Sequence, residues 1–534
     1  MSATDEDLGL RREIIEILLS SEGSLDKQAI NRIKNSVCAK YKRVEIPSNA
    51  DILEAALPEE IEVLTHLLQK RPVRTVSGVA VVAVMTSPCR CPHGKCAYCP
   101  GGPENGVPQS YTGFEPATMR GLQNEFDPYR QAESRLNQLR ATGHSVNKTE
   151  LIVMGGDWCS KEQSYRECFV KGCLDAMNGG ISSDFETAKA LNEVSQVRNV
   201  GMTFETRPDM ITPQAVDDML RLGATRVEIG VQSLSDSVLK LVERGHDVAA
   251  TVRATKLLRD SGLKVCYHIM PGLPNTTPED DLAGFEQLFS DSRFRPDMLK
   301  IYPTLVIKGT KLHDWWVRGD YIPYETESTV DLLARAINKM PEYVRIQRMQ
   351  RDIPLHKIEA GLTKGNLREL VHERMGALGL RDRTIRYREI GHYEMRTGQK
   401  VSINHLQFVC RDYEASDGTE TFLSFEEPAS DVICSFLRLR KPSKDAHRPE
   451  LAGGRAAIIR ELRVYGPVVD IGKRKPGAWQ HLGLGEELVS AAERIARKDY
   501  HAEQLLDNSG LGVKQYYRDL GFRDTGPYLV KALR

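Results

Sequence analysis

Residues 79–102 read VAVVAVMTSPCRCPHGKCAYCPGG. The first part, Val79 to Val84, is apolar and β-branched, which predicts a buried strand. The second part is a loop holding Cys91, Cys96 and Cys99, with four and then two residues between them. Three thiolates at that spacing suit an iron–sulfur cluster with one iron left open to a ligand other than cysteine. Such a cluster can cleave S-adenosylmethionine reductively and make a carbon radical. Counting Cys89, four cysteines could also close a structural zinc shell. Zinc sites, however, usually pair two Cys-x-x-Cys or Cys/His knuckles, and Cys89-x-Cys91 is poor chelate geometry. Pro100-Gly101-Gly102 lets backbone approach a cluster closely. The loop therefore reads as a 4Fe-4S site on Cys91, Cys96 and Cys99, with Cys89 a bystander.

The pattern downstream supplies a setting for that loop. Short apolar stretches at 79–85, 151–155, 200–205, 226–232, 264–270 and 298–305 alternate with helical stretches. This alternation predicts a parallel sheet, and six repeats suit a partial (β/α)6 barrel. In barrels of this kind the chemistry lies at the C-terminal ends of the strands. The distinctive residues fall there: the cysteine loop, Gly155-Gly156-Asp157, Glu205, Gln232, His268 and Pro271-Gly272. Gly155 and Gly156 leave backbone groups bare for the amino-acid portion of a ligand, or else pack under a loop. Glu205 and Gln232, polar in strands otherwise buried, are expected near S-adenosylmethionine. The alternative is structural pairing, since buried charges are costly unless paired.

Around this core we expect a helical N-terminal region (1–75), the barrel domain (76–305), a helical basic connector (306–385) and a second α/β domain (386–534). A chain of 534 residues is too long for one core. Formal net charge is zero, so a nucleic-acid site must come from local clustering. Two clusters qualify: Arg32, Lys34, Lys40, Lys42 and Arg43 near the N-terminus, and Arg345, Arg348, Arg351 and Lys357 in the connector. The first reads as a solvated helix face or as a phosphate-contacting arm. The longest apolar run falls well short of the ~20 residues needed to span a bilayer, so no membrane association is expected. Unevenly spread cysteines and a polar N-terminus suggest the reducing cytoplasm.

The C-terminal region carries a second signature. Ala457-Ile-Ile-Arg-Glu461-Leu-Arg463-Val464-Tyr465 reads as a strand, and Gln480-His-Leu-Gly483-Leu-Gly485 as a glycine-rich turn feeding a helix. Free amide groups and the positive dipole end at such a helix start suit a pyrophosphate. With Gly512-Val-Lys-Gln-Tyr516-Tyr517-Arg-Asp-Leu-Gly521-Phe522, this resembles the acyl-CoA site of the GNAT acetyltransferases. In that superfamily a tyrosine at the position of Tyr517 lies near the thioester.

Further stretches extend the resemblance: Ser110-Tyr-Thr-Gly-Phe-Glu-Pro, Glu205-Thr-Arg-Pro-Asp, Val227-Glu-Ile-Gly-Val-Gln-Ser, Gln350-Arg-Asp-Ile-Pro and Arg460-Glu-Leu-Arg-Val-Tyr-Gly. From about residue 75 the chain resembles the radical S-adenosylmethionine/GNAT tRNA-uridine acetyltransferases, the family of the Elongator catalytic subunit. The resemblance implies transfer of an acetyl-derived group to C5 of uridine 34, leaving 5-carboxymethyluridine. It also implies acetyl-CoA as co-substrate, tRNA as partner, and association with other Elongator subunits or a second copy. The family's acetyl-CoA contacts map to Lys148, Glu461, Leu462, Arg463, Val464, Leu484, Gly485, Glu486 and Tyr517, with Lys148 and Tyr517 nearest the chemistry. Two departures stand out. Gly155-Gly156-Asp157-Trp158 replaces the usual Gly-Gly-Thr-Phe, and Arg386-Tyr387-Arg388-Glu389 has none of the cysteines that hold zinc in some prokaryotic members. Two rival readings are a protein lysine acetyltransferase using only the C-terminal domain, and a tRNA-binding scaffold whose cluster is structural.

Overall fold

A computed structural model describes residues 5–21, 25–41, 43, 46–47, 49–57, 59–68, 75–466 and 483–533. Seven parallel strands form the first sheet in sequential order: β1 (Ala80–Met85), β2 (Lys148–Met154), β3 (Arg198–Thr206), β4 (Arg226–Gln232), β5 (Lys264–Ile269), β6 (Met298–Ile301) and β7 (Arg345–Arg348). The end strands β1 and β7 do not pair, so the barrel is open along one side.

The crossover helices carry clear start and stop signals. Helix Pro213–Leu222, for example, starts where the Thr212 side chain accepts the Ala215 N–H and Pro213 occupies the first turn. It stops at Gly223, whose φ of 97° closes the last turn. Between these ends, Val216, Met219, Leu220 and Leu222 are buried against the sheet.

Two features differ from the sequence-based expectation. The barrel has a seventh strand, β7, inside the stretch read as a helical connector, and β6 ends at Ile301. Only Ile346 of β7 is buried outside the lumen, while Arg345 and Gln347 line the cavity inside. A four-residue strand that is polar on its inner face has no apolar run to betray it. For the same reason β2 begins at Lys148, ahead of its apolar part, because Glu150 faces the lumen.

The second sheet has the order β13-β14-β12-β11-β10-β9-β8, with strands β8 (Gln407–Ala415), β9 (Gly418–Glu427), β10 (Val432–Lys441), β11 (Ala456–Val464), β12 (Gln504–Asp507), β13 (Arg523–Thr525) and β14 (Tyr528–Ala532). All pairs are antiparallel except β11 with β12. Those two pair only from Ala456 to Ile459, after which β11 parts from β12 and stays paired with β10 as far as Val464. Helix Leu484–Lys498 packs Leu488, Val489, Ala492 and Ala496 against this sheet.

The two sheets are joined by buried ion pairs. Arg460 on β11 donates to both oxygens of Asp297, at 2.8 and 2.7 Å, and to Glu420 at 2.7 Å. Arg259 reaches Glu420 at 2.8 Å, and Arg440 reaches Asp260 at 2.6 Å. The N-terminal helices Asp5–Ser20, Lys27–Lys40, Asn49–Glu54 and Ile61–Leu68 enclose a separate small core of Leu10, Ile14, Leu18, Ile30, Val37 and Leu64. Lys34, read as part of a basic arm, is turned into this unit and donates to Asn49 at 2.9 Å. Lys40 and Arg43 make exposed pairs with Glu13 and Asp7; Lys42 lies outside the described residues. No helix among the described residues is long and apolar enough to cross a membrane.

Candidate active site

The cysteine loop leaves β1 at the C-terminal end of the barrel. Backbone turns shape it: Gly94 N–H donates to Cys91 O and Cys99 N–H to Cys96 O, each at 3.0 Å. Two clamps then hold it. The Ala97 N–H reaches Val242 O at 3.0 Å, and the Leu312 N–H reaches Ala97 O at 2.9 Å. Cys96 and Cys99 are buried, whereas Cys91 is half-buried and faces a cavity. Gln109 Nε2 lies 3.5 Å from the Cys99 sulfur and Arg244 Nη1 lies 3.8 Å from that of Cys96. Three thiols backed by a buried guanidinium and an amide donor fit a cluster, since donors to the sulfurs steady its negative charge. Cys89 points to its neighbour's carbonyl at the loop's outer side.

The glycine pair after β2 is required sterically. A Cβ at Gly155 would sit 2.0 Å from Thr86 Oγ1, and one at Gly156 would sit 3.0 Å from Gln109 O, both at positive φ. Asp157, where the family has threonine, is buried and accepts the Thr206 hydroxyl at 2.8 Å through one oxygen; its other oxygen has no partner. Trp158 stacks on Phe204 at 4.6 Å and its main-chain N–H holds the Glu205 carbonyl at 3.0 Å.

A charged column fills the lumen below this rim. Tyr111 donates to Glu205 at 2.8 Å, and Lys300 bridges Glu205, at 3.2 Å, to Glu228. His268 lies 2.8 Å from Glu228, and Arg226 links Glu228 to Glu150. Cys266 stands beside Glu228 and His268, but the Lys300 ammonium already balances Glu228. Gln232 ends β4 with φ 68° and a buried side-chain oxygen that has no partner, a position strained for a side chain and open to a ligand. Burial pushes the Glu228 carboxyl up, but Lys300, His268 and Arg226 outweigh it and hold it well below the usual range.

The column continues into the second domain. Arg463 on β11 reaches Glu150 and Glu461, each at 3.3 Å, and Glu461 also accepts from Arg438 at 2.9 Å. Burial raises the Glu150 carboxyl, yet Arg226 and Arg463 outweigh it and bring it to about 2. A folded value below the unfolded value of about 4.5 means that Glu150 contributes stability in full above pH 4.5 and loses it as pH falls towards 2. We expect denaturant unfolding to show wild-type stability declining through this window more steeply than that of Glu150→Gln. Parallel curves would count against the assignment.

One cavity of about 1080 Å³ runs the length of this arrangement. Cys91, Gly156, Glu205 and Gln232 line one end, and Glu461, Arg463 and Tyr465 line the other. β11 has two working faces. Glu461 and Arg463 face the barrel, whereas Leu462 packs with the second domain's core and Val464 lies near the start of helix Leu484–Lys498. That helix begins at Gly483 with no side-chain cap, leaving the N–H groups around Leu484, Gly485 and Glu486 without an intrahelical partner. A Cβ at Gly485 would lie 2.8 Å from the Tyr516 hydroxyl and 3.7 Å from Val464 Cγ2. Gln480 of the glycine-rich turn lies outside the described residues.

The tyrosine pair divides in an unexpected way. Tyr517 is buried and its hydroxyl engages Asp507, whose carboxyl burial pushes up to about 7. Tyr516 is the one whose hydroxyl faces Gly485, buried and without a partner. Lys148 stands at the start of β2, the strand end remote from the cysteine loop. Tyr111, Lys300 and Arg438 did not stand out in the sequence; isolated polar residues become significant only once the strands bring them together.

A seven-stranded half-barrel with a three-cysteine loop after β1 defines a radical S-adenosylmethionine enzyme, here fused to a second mixed α/β domain. The Radical SAM superfamily model matches residues 85–285, the Radical_SAM C-terminal domain residues 296–377, and the ELP3 N-terminal domain residues 9–76. The tRNA uridine(34) acetyltransferase of Methanocaldococcus infernus is 48% identical over 533 residues, covering 98% of this chain and 99% of the relative. The Homo sapiens Elongator complex protein 3 is 43% identical, covering 98% and 96%. The solved structure of M. infernus Elp3 with an N-terminal deletion (1–46) superposes with a TM-score of 0.77 at 43% identity, covering 86% of this chain and all of that one. The chain belongs to the Elp3/tRNA uridine(34) acetyltransferase family.

Proposed function

We propose that this chain modifies the wobble uridine of tRNA, using acetyl-CoA as the source of a two-carbon group that ends as a carboxymethyl on C5. The observation that carries the reading is the single cavity lined by Cys91 and Gly156 at one end and by Glu461 and Arg463 at the other. C5 of uracil is unactivated toward ordinary acyl transfer, so an acetyl group needs a radical to reach it. Cys91, Cys96 and Cys99 would hold a 4Fe-4S cluster that, given an electron from an external reductant and S-adenosylmethionine, would supply hydrogen-abstracting radical chemistry at the acetyl methyl.

The chain's own residues bind and orient. Gly155 and Gly156 admit the S-adenosylmethionine backbone to the loop, and Gln232 offers its unpartnered oxygen to it. The amides that open helix Leu484–Lys498 receive the pyrophosphate of acetyl-CoA. Leu462 and Val464 flank its pantetheine arm, and Tyr516 stands over the helix start. Glu205, held by Tyr111 and Lys300, keeps the barrel mouth charged and ordered.

The test uses anaerobically reconstituted enzyme, reductant, S-adenosylmethionine, deuterated acetyl-CoA and an unmodified tRNA transcript. Mass spectrometry of the digested RNA should show deuterated carboxymethyluridine at position 34, with deuterium also in 5′-deoxyadenosine. Unmodified uridine alongside acetylated protein lysines would favour the lysine acetyltransferase reading instead. Intact S-adenosylmethionine with all substrates present would favour the scaffold.

A further inference from the structure

The open side of the barrel carries an uneven charge. On the β7 side, Arg345, Arg348, Arg351 and Arg386 line the cavity, and Arg368 packs behind the strand. Two of these have counter-charges, and a third, Arg351, has a carbonyl acceptor across the rim. Arg345 donates to Glu389 at 2.7 Å and to the Tyr465 hydroxyl at 2.8 Å. Arg348 pairs with Asp352, and Arg351 donates to the Ser110 carbonyl.

Among the described residues the other two lack counter-charges as well. Arg368 reaches only main-chain carbonyls, those of Ile346 at 3.2 Å and Gln347 at 3.4 Å. Arg386, half-buried, makes no hydrogen bond or ion pair with any described residue. The neighbouring carboxylates are already committed. Glu389 serves Arg345 and Ser77, and Asp382 serves His372 at 3.1 Å and the Thr384 N–H at 2.9 Å. Beside them His392 has a buried Nε2 without a partner. Burial, followed by repulsion from neighbouring arginines, pushes Arg368 down to about 9 and Arg386 down to about 10. Two guanidiniums that lose hydration without a counter-charge cost the fold stability. An anion brought by a ligand removes that cost.

We propose that Arg386 and Arg368 form a phosphodiester site that seats the RNA backbone at the open edge of the barrel, beside the base that enters the cavity. The proposal rests on the reading of tRNA as substrate. A guanidinium fork matches two phosphate oxygens, and Arg386 has its whole fork available. A base attacked at C5 deep in a cavity must leave its stack, and its flanking phosphates then stay at the rim. The phosphates of acetyl-CoA have a separate place at the start of helix Leu484–Lys498, so the RNA strand is the occupant that fits here.

The test measures binding of an anticodon stem-loop with uridine at position 34 to the full chain across a salt series. Arg386→Gln and Arg368→Gln together should weaken binding about tenfold and flatten the dependence of log affinity on log salt by about 0.7 for each phosphate left without its guanidinium. Acetyl-CoA affinity should be unchanged. A second arm leaves the protein untouched: neutral methylphosphonate linkages on either side of uridine 34 should reproduce the loss in wild type and add nothing in the double variant. Wild-type binding with unaltered affinity and slope in both arms overturns the site while leaving the substrate reading in place. Lost acetyl-CoA affinity with intact RNA binding assigns the arginines to coenzyme A and likewise overturns it. A wild-type chain that binds no stem-loop overturns the substrate reading, and this site with it.

Discussion

Cys96→Ala is expected to reduce carboxymethyluridine formation by more than about a thousandfold, equivalent to ~4 kcal/mol of barrier. The thiol is buried, and the loop around it is clamped by backbone hydrogen bonds from Ala97 to Val242 and from Leu312 to Ala97, which do not involve the side chain. Alanine therefore removes a ligand and leaves its frame. Bound iron and sulfide should fall together with the cluster's visible absorbance, while the thermal unfolding midpoint of the metal-free protein stays within a few degrees. Cys89→Ala, outside the ligand set, should keep both iron and activity. Full modification by the Cys96 variant would end the radical reading; equal losses from both variants would mean that the ligands are wrongly assigned.

Asp297→Ala should cost about 3–5 kcal/mol, the range for breaking a buried ion pair by removing one partner. Asp297 is fully buried and receives Arg460 through both oxygens, while its Oδ2 also accepts the Val265 N–H at 2.9 Å. Burial raises its carboxyl, but Arg259 and Arg460 hold it well below the usual aspartate range, so it is charged at neutral pH. Without it Arg460, Arg259 and Arg438 share a shrunken set of carboxylates at the seam between the sheets. A lower denaturation midpoint, with earlier proteolysis at the seam, is the expected signature. A change below about 1 kcal/mol, the scale of an exposed pair, would mean that the seam is wetter than its burial indicates.

What was legible in the sequence follows from where the information sits. The cysteine loop was readable because its chemistry is local, packed into nine residues from Cys91 to Cys99. Strand β1 was readable because it is a continuous apolar run, and β4 and β5 because Val227, Ile229 and Val231, and Val265, Tyr267 and Ile269, recur at every second position. β7 was not, because half of a four-residue strand faces a polar lumen. Arg460 and Asp297 are 163 residues apart, and no local pattern foretells their meeting. The tyrosine pair could be located but not oriented. Adjacent residues on a helix point about 100° apart, so only packing decides that Tyr517 turns to Asp507 and Tyr516 to Gly485.

Beyond Arg460, β11 is a single strand whose alternate side chains serve two different domains. Glu461 and Arg463 line the barrel cavity; Leu462 packs with the second domain's core and Val464 lies near the start of helix Leu484–Lys498. From Glu461 to Val464 the pleat sets that division by parity, and the register shift at Arg460 reverses it relative to Ala457 and Ile459, which pack in the second domain's core. Inserting one residue just ahead of Glu461 would exchange the two sets, presenting carboxylate and guanidinium to the second domain's core and aliphatic side chains to the barrel. The halves of this enzyme therefore share a wall, and drift in one is felt at once by the other.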